Sequence, residues 1–293
     1  MTDVLVFGVH GQLGDALGKA AWPDAWSVTA LDVPDIDFTN TASLTNLIKD
    51  TKPGLIINAA AYTAVDKAET ETVLNWQINA LAPGAIAKAA ADVGAAMVHV
   101  STDYVYDGAK EGPWVETDPL GPLGAYGSTK VASEMAVAAY LDRFLILRTS
   151  WVYAAHGNNF VKTMLRVGKE RDRLTVVDDQ WGRPTEASDL GNAIIHAATH
   201  ALKTETGWGI YQFSNSGEAT TWCRFARAIF DAAAPWYGNI PEVVAIPTSE
   251  YPTPARRPAN SVMDLAKWKN TFGYVPRTWP EAMQAVINEL SKQ

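Results

Sequence analysis

The sequence predicts an α/β protein, built as a doubly wound parallel sheet followed by a smaller C-terminal α/β lobe. Three observations carry that expectation. Over residues 1–150, short apolar runs alternate with longer helical segments. The apolar runs are continuous rather than alternating, as strands covered on both faces require. The first run also ends in a glycine-rich turn that opens a helix.

Taken in order, residues 4–8 read as a buried strand ending in Gly8, and residues 26–32, 55–61, 97–101 and 144–149 read the same way. Helices are expected between them at residues 12–21, 43–50, 80–93 and 126–141. Repeated β-α units imply right-handed crossovers, and such sheets bind ligands beyond the carboxyl ends of their strands. Residues 1–150 are therefore read as a dinucleotide-binding domain. Residues 151–293 are read mainly as a substrate-binding lobe, with room for part of the chain to return to the first domain. Helices are expected there at 157–168, 188–202, 221–233 and 280–290, with short strands at 175–177, 210–214 and 243–246. Residues 246–258 hold four prolines and read as an ordered loop over a site, because Tyr251, Arg256 and Arg257 lie within it.

At 293 residues with 47% apolar and 19% charged side chains, the chain can build two domains and gives no case for disorder. Its net charge of -8 argues against a nucleic-acid coat and against a polybasic membrane surface. Cys223 is the single cysteine, so nothing demands an oxidising compartment. The chain enters an apolar strand directly after Met-Thr-Asp, with no basic leader and no spanning apolar stretch; a soluble, cytoplasmic protein is expected.

The turn runs Gly8-Val9-His10-Gly11-Gln12-Leu13-Gly14. Gly8 would allow the tight turn, Gly11 the close approach of a pyrophosphate, and Gly14 close helix–strand packing. The helix start at Gln12 and Leu13 offers unpaired N–H groups to phosphate. This is the Rossmann-like dinucleotide pattern. Asp32 ends the second strand, where a carboxylate can accept the adenosine ribose hydroxyls and favour NADH over NADPH, or merely cap a turn. Asp37 either meets the adenine or starts the Thr39-Asn40 turn. Ala59, Ala60 and Ala61 let a cofactor lie against backbone, or let sheet and helix pack closely.

Tyr126 and Lys130 are four residues apart at a helix start, which puts both on one face. A cation beside a phenol favours its ionised form, so Lys130 is expected to lower the Tyr126 pKa; the tyrosine then serves as general acid to a carbonyl oxygen. Lys130 is also placed to hold nicotinamide ribose hydroxyls. The competing reading is a tyrosine on a lysine stem with an ordinary Lys130–Glu134 pair. Thr102, at the end of the fourth strand, lies at the same sheet edge and can orient the carbonyl; alternation points Ser101 elsewhere.

The glycine spacing, the Ser101-Thr102-Asp103-Tyr104-Val105-Tyr106 run and the Tyr126/Lys130 pair resemble the extended short-chain dehydrogenase/reductase superfamily. Within it the chain resembles the reductases of dTDP-linked 4-keto-6-deoxysugars. Asn58-Ala-Ala-Ala-Tyr-Thr-Ala-Val-Asp66, Arg148-Thr-Ser-Trp151-Val-Tyr153, Gly157-Asn-Asn-Phe160, Asp178 through Thr185 and Tyr251 through Pro258 also fit, so the likeness spans both lobes. The resemblance implies a catalytic set of Thr102, Tyr126 and Lys130, a dTDP-sugar substrate, and NADPH or NADH as hydride source. It implies reduction of the C4 ketone of dTDP-4-dehydro-L-rhamnose to dTDP-L-rhamnose. It also implies that Trp151 packs against the deoxysugar, that Asp103 joins Thr102 at the substrate, and that Asn159 or Arg257 meets the diphosphate.

Some family members hold magnesium by glutamate at a dimer contact, whereas this chain reads Asp15-Ala16 after Gly14. No metal is expected, and a monomer or weak homodimer follows. His196 and His200 have zinc-ligand spacing but no intervening glutamate at residue 197, and read as surface histidines. A sister dehydratase resembles Thr-Asp-Glu at the fourth strand end, where this chain has Tyr104. A non-catalytic, NADP-binding regulatory subunit like the partner of methionine adenosyltransferase, or another nucleotide-sugar reductase or epimerase, are the remaining alternatives.

Overall fold

The computed structural model describes residues 2–293. In chain order the first part runs β1 (Thr2–Phe7), α1 (Gln12–Lys19), β2 (Trp26–Leu31), α2 (Thr41–Thr51), β3 (Leu55–Asn58), α3 (Val65–Ala68), α4 (Thr72–Trp76), α5 (Ala82–Val93), β4 (Ala96–Thr102), α6 (Ala125–Tyr140) and β5 (Phe144–Thr149). The second part runs β6 (Val152–Tyr153), α7 (Phe160–Gly168), β7 (Arg173–Val177), β8 (Trp181–Gly182), β9 (Thr185–Glu186), α8 (Ala187–Thr204), β10 (Gly209–Gln212), β11 (Thr220–Thr221), α9 (Trp222–Tyr237), β12 (Glu242–Ile246), α10 (Ala266–Phe272) and α11 (Trp279–Leu290).

Six parallel strands form the central sheet in the order β10-β5-β4-β3-β1-β2. Each inner strand feeds both faces. Val4, Val6, Ile57, Val98 and Leu147 point to one side, where Leu13 and Leu17 of α1, Leu190 and Ile194 of α8 and Trp268 of α10 close over them. Leu5, Phe7, Ile56, Met97 and Ile146 point to the other, against Leu44 and Ile48 of α2, Ile86 of α5 and Val137 of α6. Burying such a side chain fully is worth roughly 1.5–3 kcal/mol, so continuous apolar runs specify a two-faced sheet.

β2 departs from the buried-strand expectation: Ser27, Val28, Thr29 and Ala30 are exposed, because this strand is the sheet's outer edge. The strand expected at 210–214 is β10, which pairs with β5 at the other edge, so the chain returns to the central sheet. α8 and α10 pack on the same sheet. The short α3, α4 and α10 were not anticipated; at 4, 5 and 7 residues they are too brief to show a helical period.

The remaining elements make a smaller lobe. β12 pairs with β7, β6 with β9, and β11 with β8, around Phe225, Ile229 and Phe230 of α9 and Val286 and Ile287 of α11. α7 begins at Phe160 rather than residue 157, because Gly157 takes a left-handed φ of +67° and the Asn159 side chain caps the helix at Lys162 N. Residues 247–258 form a loop with one short turn, Thr248–Glu250. Among the described residues no helix is long and apolar enough to cross a membrane.

Candidate active site

The carboxyl ends of β1, β3, β4 and β5 converge on a cavity of about 560 Å³. The glycine turn forms its floor. Gly8 has φ +89°, and a Cβ there would lie 2.5 Å from Ala60 N, so the turn rests flat against the loop after β3. A Cβ on Gly14 would strike Gly8 O and Val9 Cα, which explains the close packing of α1 on the turn. Gly11 is different: it is exposed, and its nearest neighbour would be Gly8 O at 3.4 Å. It is the N-cap of α1 and supplies no side-chain cap, so the first N–H groups of the helix, Gln12 and Leu13 among them, remain available to an anion. That donor set fits a pyrophosphate.

Asp32 lines the cavity at the end of β2. Its two oxygens accept from His10 N and Val33 N, both at 2.8 Å, so it also braces the glycine turn. Asp37 is not on the lining; its carboxylate accepts from Thr39 N and Oγ1, the turn-starting alternative, and these bonds hold it below the usual carboxylate range. Ala59, Ala60 and Ala61 do line the cavity.

Thr102, Asp103, Tyr126 and Lys130 line the same cavity. Tyr126 and Lys130 come from the first turns of α6, and both are buried. The expected acidification of the phenol does not occur. Burial pushes Tyr126 up to about 12, with the Thr102 hydroxyl opposing it, while the Asp103 carboxylate pushes in the same direction as burial. Lys130 does not counter this, since its ammonium turns to Val100 O at 2.7 Å and meets His99 Nε2 at 3.4 Å. Burial also brings Lys130 down to about 8, with Glu134 opposing. Asp103 is raised to about 6 by burial, opposed by the nearby Ser261 and Thr102 hydroxyls. Thr102 Oγ1 donates to Asp103 Oδ1 at 2.9 Å and accepts from Tyr104 N.

Glu134 does not pair with Lys130. It accepts from Arg148 Nε and Nη2 and from Ser101 Oγ in a buried network. Ser101 lines the cavity, yet its hydroxyl is spent on Glu134.

Trp151 lies on the lining with φ +51°, and its ring stacks on Trp222 at 3.6 Å and 13°. Gly182 supports it: a Cβ there would come within 2.6 Å of the indole. Trp222 is the residue that sequence reasoning missed. It opens α9 about seventy positions downstream, and nothing in its local pattern points at Trp151. Asn159 and Arg257 are not on the lining. Asn159 caps α7 and donates to Gln12 Oε1, joining the two lobes. Arg257 donates to both Asp66 oxygens at 2.7 Å. Away from the cavity, His196 Nε2 meets Phe272 O at 2.9 Å and His200 packs edge-on against Phe272. Among the described residues no three His, Cys, Asp or Glu side chains gather as a metal site.

Residues 1–292 match the family described as the RmlD substrate binding domain. The chain is 44% identical over 296 residues to a dTDP-4-dehydrorhamnose reductase of Escherichia coli K12, covering 98% of each. The chain belongs to the dTDP-4-dehydrorhamnose reductase family. Its fold is similar to a reductase of that name from Clostridium acetobutylicum, with TM-score 0.91 and 38% identity, covering 98% of this chain and 99% of that one. It is also similar to the Bacillus anthracis reductase in complex with NADP, with TM-score 0.88 and 35% identity over the same shares.

Proposed function

We propose that the chain reduces the C4 ketone of dTDP-4-dehydro-L-rhamnose to dTDP-L-rhamnose, using NADPH or NADH, with Tyr126 as proton donor. The observation that carries this reading is the single cavity that runs from the glycine turn to Thr102, Tyr126 and Lys130. A bound nicotinamide supplies hydride. The residues fitted to hold it are Gly8, Gly11, Gln12, Leu13 and Asp32, with Ala59, Ala60 and Ala61 beneath it and Lys130 at the nicotinamide ribose.

Tyr126 remains a phenol throughout the neutral range, because burial keeps its pKa at about 12. It therefore arrives as a loaded acid, and delivers its proton as negative charge develops on the substrate oxygen. Thr102 lies beside Tyr126 on the cavity lining and orients the same oxygen. Lys130, whose ammonium turns to Val100 O rather than to the phenol, acts through the cofactor ribose. Trp151 and Trp222 form an aromatic wall suited to the C–H face of a deoxysugar. Tyr104 packs edge-on against Tyr126 at 5.6 Å and stands where the dehydratase pattern has a glutamate, so the pocket lacks that acid.

Purified protein mixed with reduced cofactor and the 4-keto sugar nucleotide should consume cofactor absorbance. No substrate-dependent loss would favour the non-catalytic regulatory reading. Tyr126→Phe should lower kcat by about 10²–10⁴-fold and leave cofactor affinity near that of the natural chain. Unchanged turnover would remove Tyr126 from its role.

A further inference from the structure

On the cavity lining, Lys130 sits against a chain of polar groups, Asn58, His99 and Ser133, whose hydrogen bonds fix the imidazole tautomer. The amide of Asn58 is oriented by Ala60, whose N–H donates to Asn58 Oδ1 at 3.2 Å. The Nδ2 of Asn58 therefore faces His99 Nδ1 at 3.2 Å as a donor, which makes Nδ1 the acceptor nitrogen of the ring. A neutral imidazole with a lone pair on Nδ1 carries its proton on Nε2. That N–H has its own acceptor in Ser133 Oγ at 2.9 Å, and Ser133 Oγ in turn donates to Lys130 O at 2.7 Å. Along Asn58, His99 and Ser133, only this arrangement sets a donor against an acceptor at each contact.

The same Nε2 lies 3.4 Å from Lys130 Nζ. A protonated ring nitrogen has no lone pair to offer an ammonium. Val100 O, at 2.7 Å, is then the one acceptor Lys130 finds among the described residues. We propose that His99, held by Asn58 as its Nε2–H tautomer, is a positioning residue that denies Lys130 a second protein acceptor and so leaves two ammonium N–H groups for the ribose hydroxyls of the cofactor. This rests on the reading of Lys130 as a cofactor-holding group. Burial, reinforced by Lys130, keeps His99 well below the usual imidazole range, so the ring is neutral at working pH. The titratable and charged groups around Lys130 are His99 of β4, Tyr126 and Glu134 of α6 and, through Glu134, Arg148 of β5.

Two measurements on the full chain test this. In a long-range ¹⁵N–¹H spectrum, with His99 assigned by its loss in His99→Gln, the protonated ring nitrogen should be Nε2 across the neutral range. Protonation at Nδ1, or at both nitrogens, overturns the proposal. Asn58→Asp then offers a carboxylate to Nδ1, which should reverse the tautomer and expose the Nε2 lone pair to Lys130 as well as to Ser133 Oγ. NADPH and NADH affinity should weaken about tenfold, as expected for one charge-assisted hydrogen bond drawn away. The alkaline limb of the kcat/KM profile should move to higher pH. A reversed tautomer with unchanged cofactor affinity overturns the proposal. Failure of the sugar-nucleotide assay alone would count against the reductase reading and leave both the spectrum and the cofactor titration interpretable.

Discussion

Tyr126 and Lys130 show how burial rather than spacing sets the chemistry of a residue pair. Four residues apart on α6, they share a face, yet both are enclosed and each is driven toward its neutral form. Lys130 is a cation with its pKa lowered to about 8, so its charge is present below that value and is lost as pH rises through it. The kcat/KM for reduction should therefore fall as pH rises through about 8, and Lys130→Met should abolish that limb while weakening cofactor binding. A flat profile to pH 10 would mean the ammonium is not required. Asp32 presents its carboxylate to the cavity while accepting from His10 N and Val33 N. Asp32→Ala should shift the ratio of kcat/KM toward NADPH, because a negative group beside the 2′-phosphate is removed. An unchanged ratio would place the ribose elsewhere.

At the scale of elements, α6 is tied to the sheet by charge as well as by packing. Arg148 of β5 and Glu134 of α6 are 2% and 3% exposed, and the guanidinium also donates to Tyr106 Oη at 2.7 Å and to Glu116 O. Removing one partner leaves a buried charge without compensation, which costs about 3–5 kcal/mol. Glu134→Ala should lower unfolding stability in urea by that amount, whereas a change under 1 kcal/mol would mean that water reaches Arg148. The competing reading of the sequence pairs Lys130 with this carboxylate from one turn away. Arg148 wins because its planar fork engages both oxygens, Nε on Oε1 and Nη2 on Oε2, while Lys130 is drawn off by Val100 O.

Across the whole molecule, the proline-rich loop is fastened to the segment after β3 by the Asp66–Arg257 pair, and α7 to α1 by the Asn159–Gln12 bond. Hydrogen bonding from Arg257 holds the Asp66 carboxyl below its ordinary range, so this fastening is present near neutrality and is lost as pH falls through the lowered value. If Arg257 acts by holding the loop, Asp66→Asn and Arg257→Ala should raise the KM for sugar nucleotide equally and non-additively. If it binds the diphosphate, only Arg257→Ala should do so. A double-mutant cycle on KM separates the two.

The parallel sheet, the glycine turn and the lining positions of Thr102, Tyr126 and Lys130 were legible in the sequence. Continuous apolar runs suit strands covered on both faces, and Gly8 and Gly14 stand where a Cβ would collide. The edge position of β2, the return of β10 to the sheet and the stacking of Trp222 on Trp151 were decided by tertiary structure, because each depends on which segments meet across a long separation. The same holds for protonation. Residue types name the acid and the cation, but only the enclosed cavity sets a phenol near 12 and an ammonium near 8, since desolvation is a property of surroundings that local sequence does not encode.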